Sequence, residues 1–401
     1  MSSPATGLPT PEGPGSVSAA PDLPDGFAGT FTSRYIDTGD LRQHVVTGGE
    51  GPPLLLVHGW PQTWYAWRLV MPPLARDFTV IAPDQRGCGL SGKPGDGYDT
   101  GTLAGDLAAL MDALGHPRFA AAGHDTGMWI GYALAADHPH RVARLAVAET
   151  PLPGVSPSPP LFASAHLNNA LWHFAFNRLA AVNDQLVTGR EEVYFGWQFA
   201  TKAARPLPGY AVRHYVGTLA ADPAALHASF AIYRALDATI AQNQQRKTRR
   251  LILPVLGIGG EHSLAGQVAE TMKLAADDVQ TQVIAGCGHH PPEEAPEETL
   301  AALTAFLAPY RDEQAAADNP GPQALRFSRR PEGGSRPDPS MHLARAASFA
   351  RRGHRNAGSC PGSGPCSPTD QHTSAVRRYG SRSRKELSCP SRPRCSPPRR
   401  R

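Results

Sequence analysis

Residues 119–136 read FAAAGHDTGMWIGYALAA. The run 119–122 is short, apolar and without alternation, which is typical of a parallel strand buried on both faces. Residues 128–136 are long enough for a helix, and the two glycines between these segments permit a sharp turn from strand to helix. We therefore predict a strand-turn-helix unit whose turn exposes the side chain of Asp125.

Comparable apolar runs recur on both sides of this unit. They lie at residues 54–57, 78–82, 145–148, 254–258 and 282–284. Segments of helical length separate them, and in residues 102–114 the apolar side chains fall on one face. This alternation indicates an α/β fold with right-handed crossovers. Residues 30–32 and 41–46 alternate like half-buried strands, so we expect a hairpin to open the sheet.

The alternation stops between residues 151 and 246. This stretch is aromatic and helix-compatible and has no buried-strand run, and the strand pattern resumes at Leu251. We therefore predict a core in two parts, residues 26–150 and 247–311, with a helical lid at 151–246 inserted between them.

The N-terminal residues 1–25 consist mainly of Ser, Pro, Gly and Ala. They lack the charged and apolar regions of a secretory signal. No part of the chain approaches the roughly 18 apolar residues that a membrane span requires. Cys88 and Cys287 are the two cysteines that precede the C-terminal tail, so a disulfide framework is not expected. We expect a disordered N-terminal extension and a cytoplasmic protein.

The C-terminal residues 312–401 carry 18 Lys or Arg against 7 Asp or Glu, whereas the whole chain carries a net charge of only +4. Large apolar side chains are few, so we predict a disordered basic tail rich in Arg, Pro and Ser. Such a tail can bind nucleic acid or an acidic membrane by counterion release. Its scarce aromatic residues favour instead a solvated extension or coding drift past an ancestral stop codon. Its cysteines lack metal-ligand spacing, and no metal or cofactor is expected.

The pattern Gly-x-Asp-x-Gly alone also fits an ordinary turn or a helix N-cap, so the role of Asp125 depends on two further motifs. His58-Gly59-Trp60-Pro61 follows the apolar run 54–57, and Gly286-Cys287-Gly288-His289 follows the last run. The chain order nucleophile, acid, histidine is that of a hydrolase triad. We predict His289 as the general base and the N–H groups of Trp60 and Thr126 as the oxyanion hole.

These motifs, with Asp84-Gln85-Arg86-Gly87-Cys88-Gly89-Leu90-Ser91, resemble the epoxide hydrolase branch of the α/β-hydrolases over about residues 31–310. The resemblance implies an α/β-hydrolase fold, with a mostly parallel sheet flanked by helices and an inserted helical lid. It also implies that Asp125 is the nucleophile. A carboxylate is ionised at neutral pH and can attack an epoxide carbon without a base. A water activated by His289 would then hydrolyse the ester to release a diol.

Two carboxylates are candidates to orient His289. Glu149 ends the run 145–148, and Glu261 follows the run 254–258. The stretch Ala148-Glu149-Thr150-Pro151-Leu152-Pro153-Gly154 resembles a bacterial subgroup typified by the cystic-fibrosis-channel inhibitory factor, and this resemblance favours Glu149. Glu261 remains the alternative acid.

Opening an epoxide also requires proton donors for the leaving oxygen. The segments 172–176 and 229–236 resemble those that supply one histidine and one tyrosine in the same subgroup, which implies that His173 and Tyr233 are the donors. The tyrosines Tyr194, Tyr210 and Tyr215 compete for the second role.

Two other functions remain open alongside the hydrolysis of a small apolar epoxide by water. A haloalkane or haloacid dehalogenase would share the fold. Thr126 stands where many epoxide hydrolases and haloalkane dehalogenases have Trp, and the absence of this halide-holding Trp disfavours a haloalkane dehalogenase. Residues 126–128 also lack the arginines that fluoroacetate dehalogenases place there. The other function is that of a non-catalytic interaction protein with a nucleic-acid-binding tail, which the intact triad disfavours. The oligomeric state is not predicted.

Overall fold

The computed structural model describes residues 8–158, 160 and 164–318, and within them eight strands form one sheet. The strands are β1 (Phe31–Asp37), β2 (Arg42–Gly48), β3 (Pro53–Val57), β4 (Thr79–Pro83), β5 (Phe119–His124), β6 (Val142–Ala148), β7 (Val255–Gly260) and β8 (Val279–Ile284). Their order across the sheet is β1-β2-β4-β3-β5-β6-β7-β8. β2 pairs antiparallel with β1 and β4, and the remaining pairs are parallel. The predicted hairpin and the mostly parallel sheet are therefore confirmed.

Helices cover both faces of this sheet and fill the interval between β6 and β7. They are α1 (Phe27–Thr30), α2 (Met71–Leu74), α3 (Thr100–Ala113), α4 (Thr126–Asp137), α5 (Ala165–Asn177), α6 (Val182–Val187), α7 (Glu191–Lys202), α8 (Gly209–Ala220), α9 (Pro223–Arg234), α10 (Leu236–Arg246), α11 (Gln267–Lys273), α12 (Pro291–Glu294) and α13 (Pro296–Asp318), with a 3₁₀ turn at Trp64–Trp67. Helices α5 to α10 fall inside the range 151–246 predicted for the lid, and we call residues 164–246 the lid segment.

The alternation of side chains along β3 divides the core into two layers. Leu55 and Val57 belong to the cluster that includes Leu107 on α3, whereas Leu54 and Leu56 belong to the cluster that includes Phe306 on α13. Successive side chains of a strand point to opposite faces, so one short run serves both layers. The two layers fix the carboxyl ends of the parallel strands, where the candidate site lies.

The prediction of a disordered extension at residues 1–25 is wrong for residues 8–25, which the structure describes, while residues 1–7 lie outside the described range. The carbonyl of Gly15 accepts a hydrogen bond from Trp64 Nε1 at 2.6 Å, and that of Pro21 accepts one from the Tyr65 hydroxyl at 2.5 Å. Buried indole and phenol groups require acceptors, and this segment provides them from its backbone. Its side-chain composition gives no sign of that role.

At the other end, α13 continues to Asp318, past the predicted start of the tail at residue 312. The rest of the predicted basic tail, residues 319–401, lies outside the described range. Among the described residues, no helix is both long enough and apolar enough to cross a membrane.

Candidate active site

Asp125 occupies the sharp turn between β5 and α4. Its φ of 51° and ψ of −123° lie where L-residues are rarely found, which costs about 1–3 kcal/mol. A Cβ atom on Gly123 would lie 2.2 Å from the carbonyl oxygen of Gly127, and one on Gly127 would lie 2.3 Å from that of Val57. The flanking glycines are therefore required by the close approach of backbone, as the sequence pattern predicted.

The turn that follows β3 packs directly against Asp125. A Cβ atom on Gly59 would come within 2.5 Å of the Asp125 Cβ, so the backbone here is in contact with the nucleophile candidate. Trp60 follows in the same turn, and Thr126 is the first residue of α4, whose N–H has no partner within the helix. Of the two predicted oxyanion-hole residues, Thr126 thus directly follows Asp125, and Trp60 directly follows a glycine that contacts it.

The loop after β4 holds the His58 turn in place. Asp84 is fully buried, and its carboxylate accepts hydrogen bonds from the backbone N–H groups of Trp64 at 3.0 Å and Leu90 at 2.9 Å. The N–H of Gln85 donates to His58 Nε2 at 3.1 Å. These contacts make Asp84 and His58 braces of the loops rather than reacting groups.

His289 lies between two carboxylates. Its Nε2 is 3.0 Å from Asp125 Oδ2 and its Nδ1 is 3.4 Å from Glu149 Oε2. The other oxygen of Glu149 accepts the Gly260 N–H at 2.6 Å, which fixes the carboxylate. Glu261 is exposed and its carboxylate accepts the Gly286 N–H at 2.8 Å instead. The structure therefore brings Glu149, and not Glu261, to His289.

Asp125 and His289 form a buried ion pair. Burial by itself would raise the pKa of Asp125, but the hydrogen bond and charge of His289, with the charge of Lys202, hold it at about 2. Burial would lower the pKa of His289, but its hydrogen bonds to Asp125 and Glu149 raise it to about 9. At neutral pH the carboxylate is ionised and the imidazole is protonated.

His173 of α5 and Tyr233 of α9 lie on the lid side of the site, and both are buried. Each packs on the indole of Trp60, with ring centroids 5.4 Å and 5.3 Å away. Burial lowers the pKa of His173 well below its ordinary value and raises that of Tyr233 well above it, so both side chains are neutral. Among the described residues, the Tyr233 hydroxyl has no hydrogen-bond partner.

The competing tyrosines have their hydroxyls engaged elsewhere. Tyr194 donates to the side-chain oxygen of Asn177, and Tyr215 donates to Glu293 at 3.1 Å. Tyr210 interacts with Asp22 and Arg68. Tyr233 is thus the tyrosine among these candidates whose hydroxyl is left for a ligand.

Sequence reasoning missed Lys202, the last residue of α7. Its Nζ lies 3.2 Å from His173 Nε2 and 5.5 Å from the centroid of the Trp60 ring. Burial lowers the pKa of Lys202 to about 8, although the charge of Asp125 opposes that shift. In sequence, a lysine at the end of a helix is an ordinary complement to the helix dipole. Its position in the site depends on how α7 packs, and no local motif reports this.

A cavity of about 520 Å³ joins the two sides of the site. Asp125, Glu149 and His289 line it from the sheet, and His173 and Lys202 line it from the lid segment. A cavity of this volume accommodates a small organic molecule.

Three buried histidines, His124, His289 and His290, have ring nitrogens within 4.8 Å of one another. His124 Nε2 already lies 2.6 Å from the backbone carbonyl of His289, and both nitrogens of His289 face carboxylates. A metal ion would have to displace these contacts. The cluster therefore fits a support for the His289 loop better than a metal site.

Comparison with known proteins agrees with this architecture. The family model described as the α/β hydrolase fold matches residues 52–296. A soluble epoxide hydrolase from Corynebacterium sp. (strain C12) is 32% identical over 277 residues, covering 67% of this chain and 95% of the relative. A fluoroacetate dehalogenase from Burkholderia sp. is 31% identical over 299 residues, covering 70% and 95%.

Solved structures show the same fold. Cfl2 from Burkholderia cenocepacia matches with 35% identity and a TM-score of 0.67, covering 69% of this chain and 96% of that one. The epoxide hydrolase CorEH matches with 30% identity and a TM-score of 0.66, covering 70% and 99%.

Proposed function

The chain belongs to the α/β-hydrolase family, and from this premise we propose that it opens epoxides to vicinal diols through a covalent ester on Asp125. The observation that carries the proposal is the ion pair at the turn after β5, where His289 Nε2 lies 3.0 Å from Asp125 Oδ2. An aspartate held ionised at this position is a nucleophile that needs no base. The 32% identity to a soluble epoxide hydrolase supports the choice of substrate.

The first step forms a carbon–oxygen bond between a carboxylate oxygen of Asp125 and an epoxide carbon. The ring carbon–oxygen bond breaks, and its electron pair passes to the ring oxygen. Tyr233 and His173 are the proposed hydrogen-bond and proton donors for this oxygen, because both pack on Trp60 and both are affected by the charge of Asp125. Proton donation of this kind contributes typically ~10² to 10⁴ in rate.

The second step hydrolyses the ester. Esterification removes the negative charge of Asp125, and with it one of the interactions that raise the pKa of His289. The pKa of His289 therefore falls, and the imidazole releases its proton to solvent. The neutral imidazole can then take a proton from a water molecule. Glu149 keeps the imidazole oriented during this exchange. The N–H groups of Trp60 and Thr126 stabilise the oxyanion, with each such donor typically worth ~10² to 10³ in rate.

A dehalogenase is the second candidate, because a fluoroacetate dehalogenase is 31% identical to this chain. The same ester would form there by displacement of a halide. Assays of a panel of small epoxides and haloacids, for diol and for halide release, separate the two reactions. Halide release without diol would overturn the epoxide assignment.

The mechanism is tested by a single turnover in ¹⁸O-water with the enzyme in excess over an epoxide. The attacking water delivers its oxygen to the acyl carbon, so the label is expected in the peptide that contains Asp125 and not in the first diol released. The Asp125→Ala variant is the matched control. Label in the diol alone would contradict a covalent ester.

A further inference from the structure

Lys202 carries a positive charge in the cavity without a carboxylate partner of its own. Among the described ion pairs, no carboxylate oxygen lies within 4.0 Å of its Nζ. The Lys202 side chain is half-buried. Holding an ammonium group partly away from water without a carboxylate beside it is costly, which points to a functional role for this side chain. Lys202 and Asp125 line the same cavity, and the charge of Asp125 acts on the Lys202 ammonium group.

The contact between Lys202 and His173 constrains which group can donate a proton. An ammonium group has N–H donors and no acceptor, so at a separation of 3.2 Å His173 Nε2 must accept. In this arrangement Nε2 carries no proton and has none to give to a ligand. The ring proton of His173 is then on Nδ1, which is buried and interacts with the backbone of Ala170. On the Nε2 side of the ring, the available protons therefore belong to Lys202.

We infer that Lys202 is a catalytic acid that protonates the oxygen released from the epoxide, while His173 acts as a positioning residue that holds the ammonium group by accepting one of its hydrogen bonds. This inference rests on the proposed function and reassigns one donor within it. Tyr233 remains the second hydrogen-bond donor.

The protons balance over the cycle. In ring opening, Asp125 forms the ester, the electron pair of the broken bond goes to oxygen, and an N–H of Lys202 supplies its proton, leaving a neutral amine. The imidazolium of His289 has then lost its anionic partner and releases its proton, and the amine of Lys202 takes up a proton from solvent. In hydrolysis, one proton of the water goes to the departing alcohol and the other to His289, which restores the starting ion pair.

The surroundings of Lys202 favour an acid that works near neutral pH. His173 contacts Lys202, and the charges of Lys202 and of Asp125, His289 and His290 act on one another. The other titratable residues that line the same cavity are Glu149, His166 and His262. The pKa of Lys202, about 8, leaves it protonated at neutral pH and still a much stronger acid than an exposed lysine. The rate of ester formation is therefore expected to fall as pH rises through 8.

The test measures ester formation by rapid quench with a small neutral epoxide between pH 6 and 10. In the native enzyme we expect a loss of rate with an apparent pKa near 8. Lys202→Met should lower the rate about 10²-fold and abolish this limb. Lys202→Arg keeps the positive charge, but the guanidinium group stays protonated up to pH 10 and is a much weaker acid. This variant should also lower the rate of ester formation, and its rate should not fall as pH rises through 8. Added ethylammonium should restore part of the rate to Lys202→Ala. Lys247→Met, at an exposed lysine, is the control.

Other results would overturn the inference. An unchanged alkaline limb in Lys202→Met would assign that limb to another group. A loss confined to epoxides that carry a carboxylate would mean that Lys202 binds an anion and donates no proton.

Failure of the proposed function is distinguished by a measurement that needs no turnover. Competitive labelling with acetic anhydride, followed by peptide mass analysis, reports the pKa of Lys202 in the resting enzyme. A value near 8 together with absent diol formation would refute the epoxide reaction alone. A value near the ordinary 10.5 would refute the environment on which the inference depends.

Discussion

The sheet side and the lid side of the cavity are built differently. On the sheet side, His289 contacts both Asp125 and Glu149, and the second carboxylate oxygen of Glu149 accepts a backbone N–H. On the lid side, Tyr233 has a hydroxyl without a partner among the described residues, and Lys202 has no carboxylate beside it. The polar groups of the sheet side are already paired, so this side can carry out the same reaction on different substrates. The polar groups of the lid side are left to bind a ligand, so this side is expected to determine which substrates are accepted.

Substitution of His289 should have the largest effect on kcat. His289→Gln removes the base for hydrolysis while leaving Asp125 able to attack, so kcat should fall about 10²- to 10⁴-fold. Intact-mass spectrometry should show one equivalent of the alkyl ester accumulating on the protein. If the variant turned over without accumulating ester, the assignment of attack to Asp125 and of water activation to His289 would be wrong.

The pair Glu149→Gln and Glu261→Gln tests which carboxylate completes the sheet side. Glu149 lies 3.4 Å from His289 Nδ1, whereas Glu261 is exposed and accepts the Gly286 N–H. The Glu149 change should lower kcat about 10²-fold or more, because it removes the charge that orients the imidazole. The Glu261 change should leave kcat within about twofold. If steady-state kinetics showed equal losses of kcat for the two variants, Glu149 could not be assigned as the acid that orients His289.

Removing one hydroxyl from the lid side should have a smaller effect. Tyr233→Phe deletes a donor while keeping the ring that packs on Trp60, so we expect about a 10²-fold loss in ester formation and little change in Tm. Tyr194→Phe removes a hydroxyl that already donates to Asn177 and should lower Tm with little effect on the rate. The opposite pattern would make Tyr233 a packing residue.

The pH dependence of stability gives the smallest signal. The pKa of His289 is raised from 6.5 to about 9, so its stabilising contribution is complete below pH 6.5 and is lost as pH rises through 9. The pKa of Asp125 is lowered from 3.8 to about 2, so its contribution is complete above pH 3.8 and is lost as pH falls through 2. By differential scanning calorimetry, the Tm of the native protein relative to His289→Gln should therefore decline between pH 6.5 and 9.5. A constant difference would argue against the ion pair.

What could be predicted from sequence follows the same division. Asp125, Glu149 and His289 each follow a recognisable strand, and the carboxyl ends of parallel strands meet at one edge, so chain order grouped them. Chain order allowed Glu261 as well, and only the resemblance of residues 148–154 favoured Glu149. Lys202 lies at the end of a lid helix, and only the packing of α7 against α5 brings its ammonium group to His173. Periodicity within a helix carries no information about such distant neighbours.

The N-terminal segment was mispredicted for a related reason. Its contribution to the fold consists of backbone carbonyls, including those of Gly15 and Pro21, that accept hydrogen bonds from buried aromatic side chains. Every residue type has a carbonyl, so composition cannot distinguish a segment that serves as an acceptor from one that remains in solvent.

The glycines at 59, 123 and 127 set a limit on how this enzyme can diversify. Each faces neighbouring atoms closer than 3.0 Å to where a Cβ would stand, so even alanine would force the backbone around Asp125 apart. A library that randomises these positions would consist mostly of inactive clones. The turn that carries the proposed nucleophile therefore leaves almost no room for a larger side chain at these three positions. Variation toward new substrates is expected instead at cavity-lining side chains of the lid segment, such as Leu167 and Leu171.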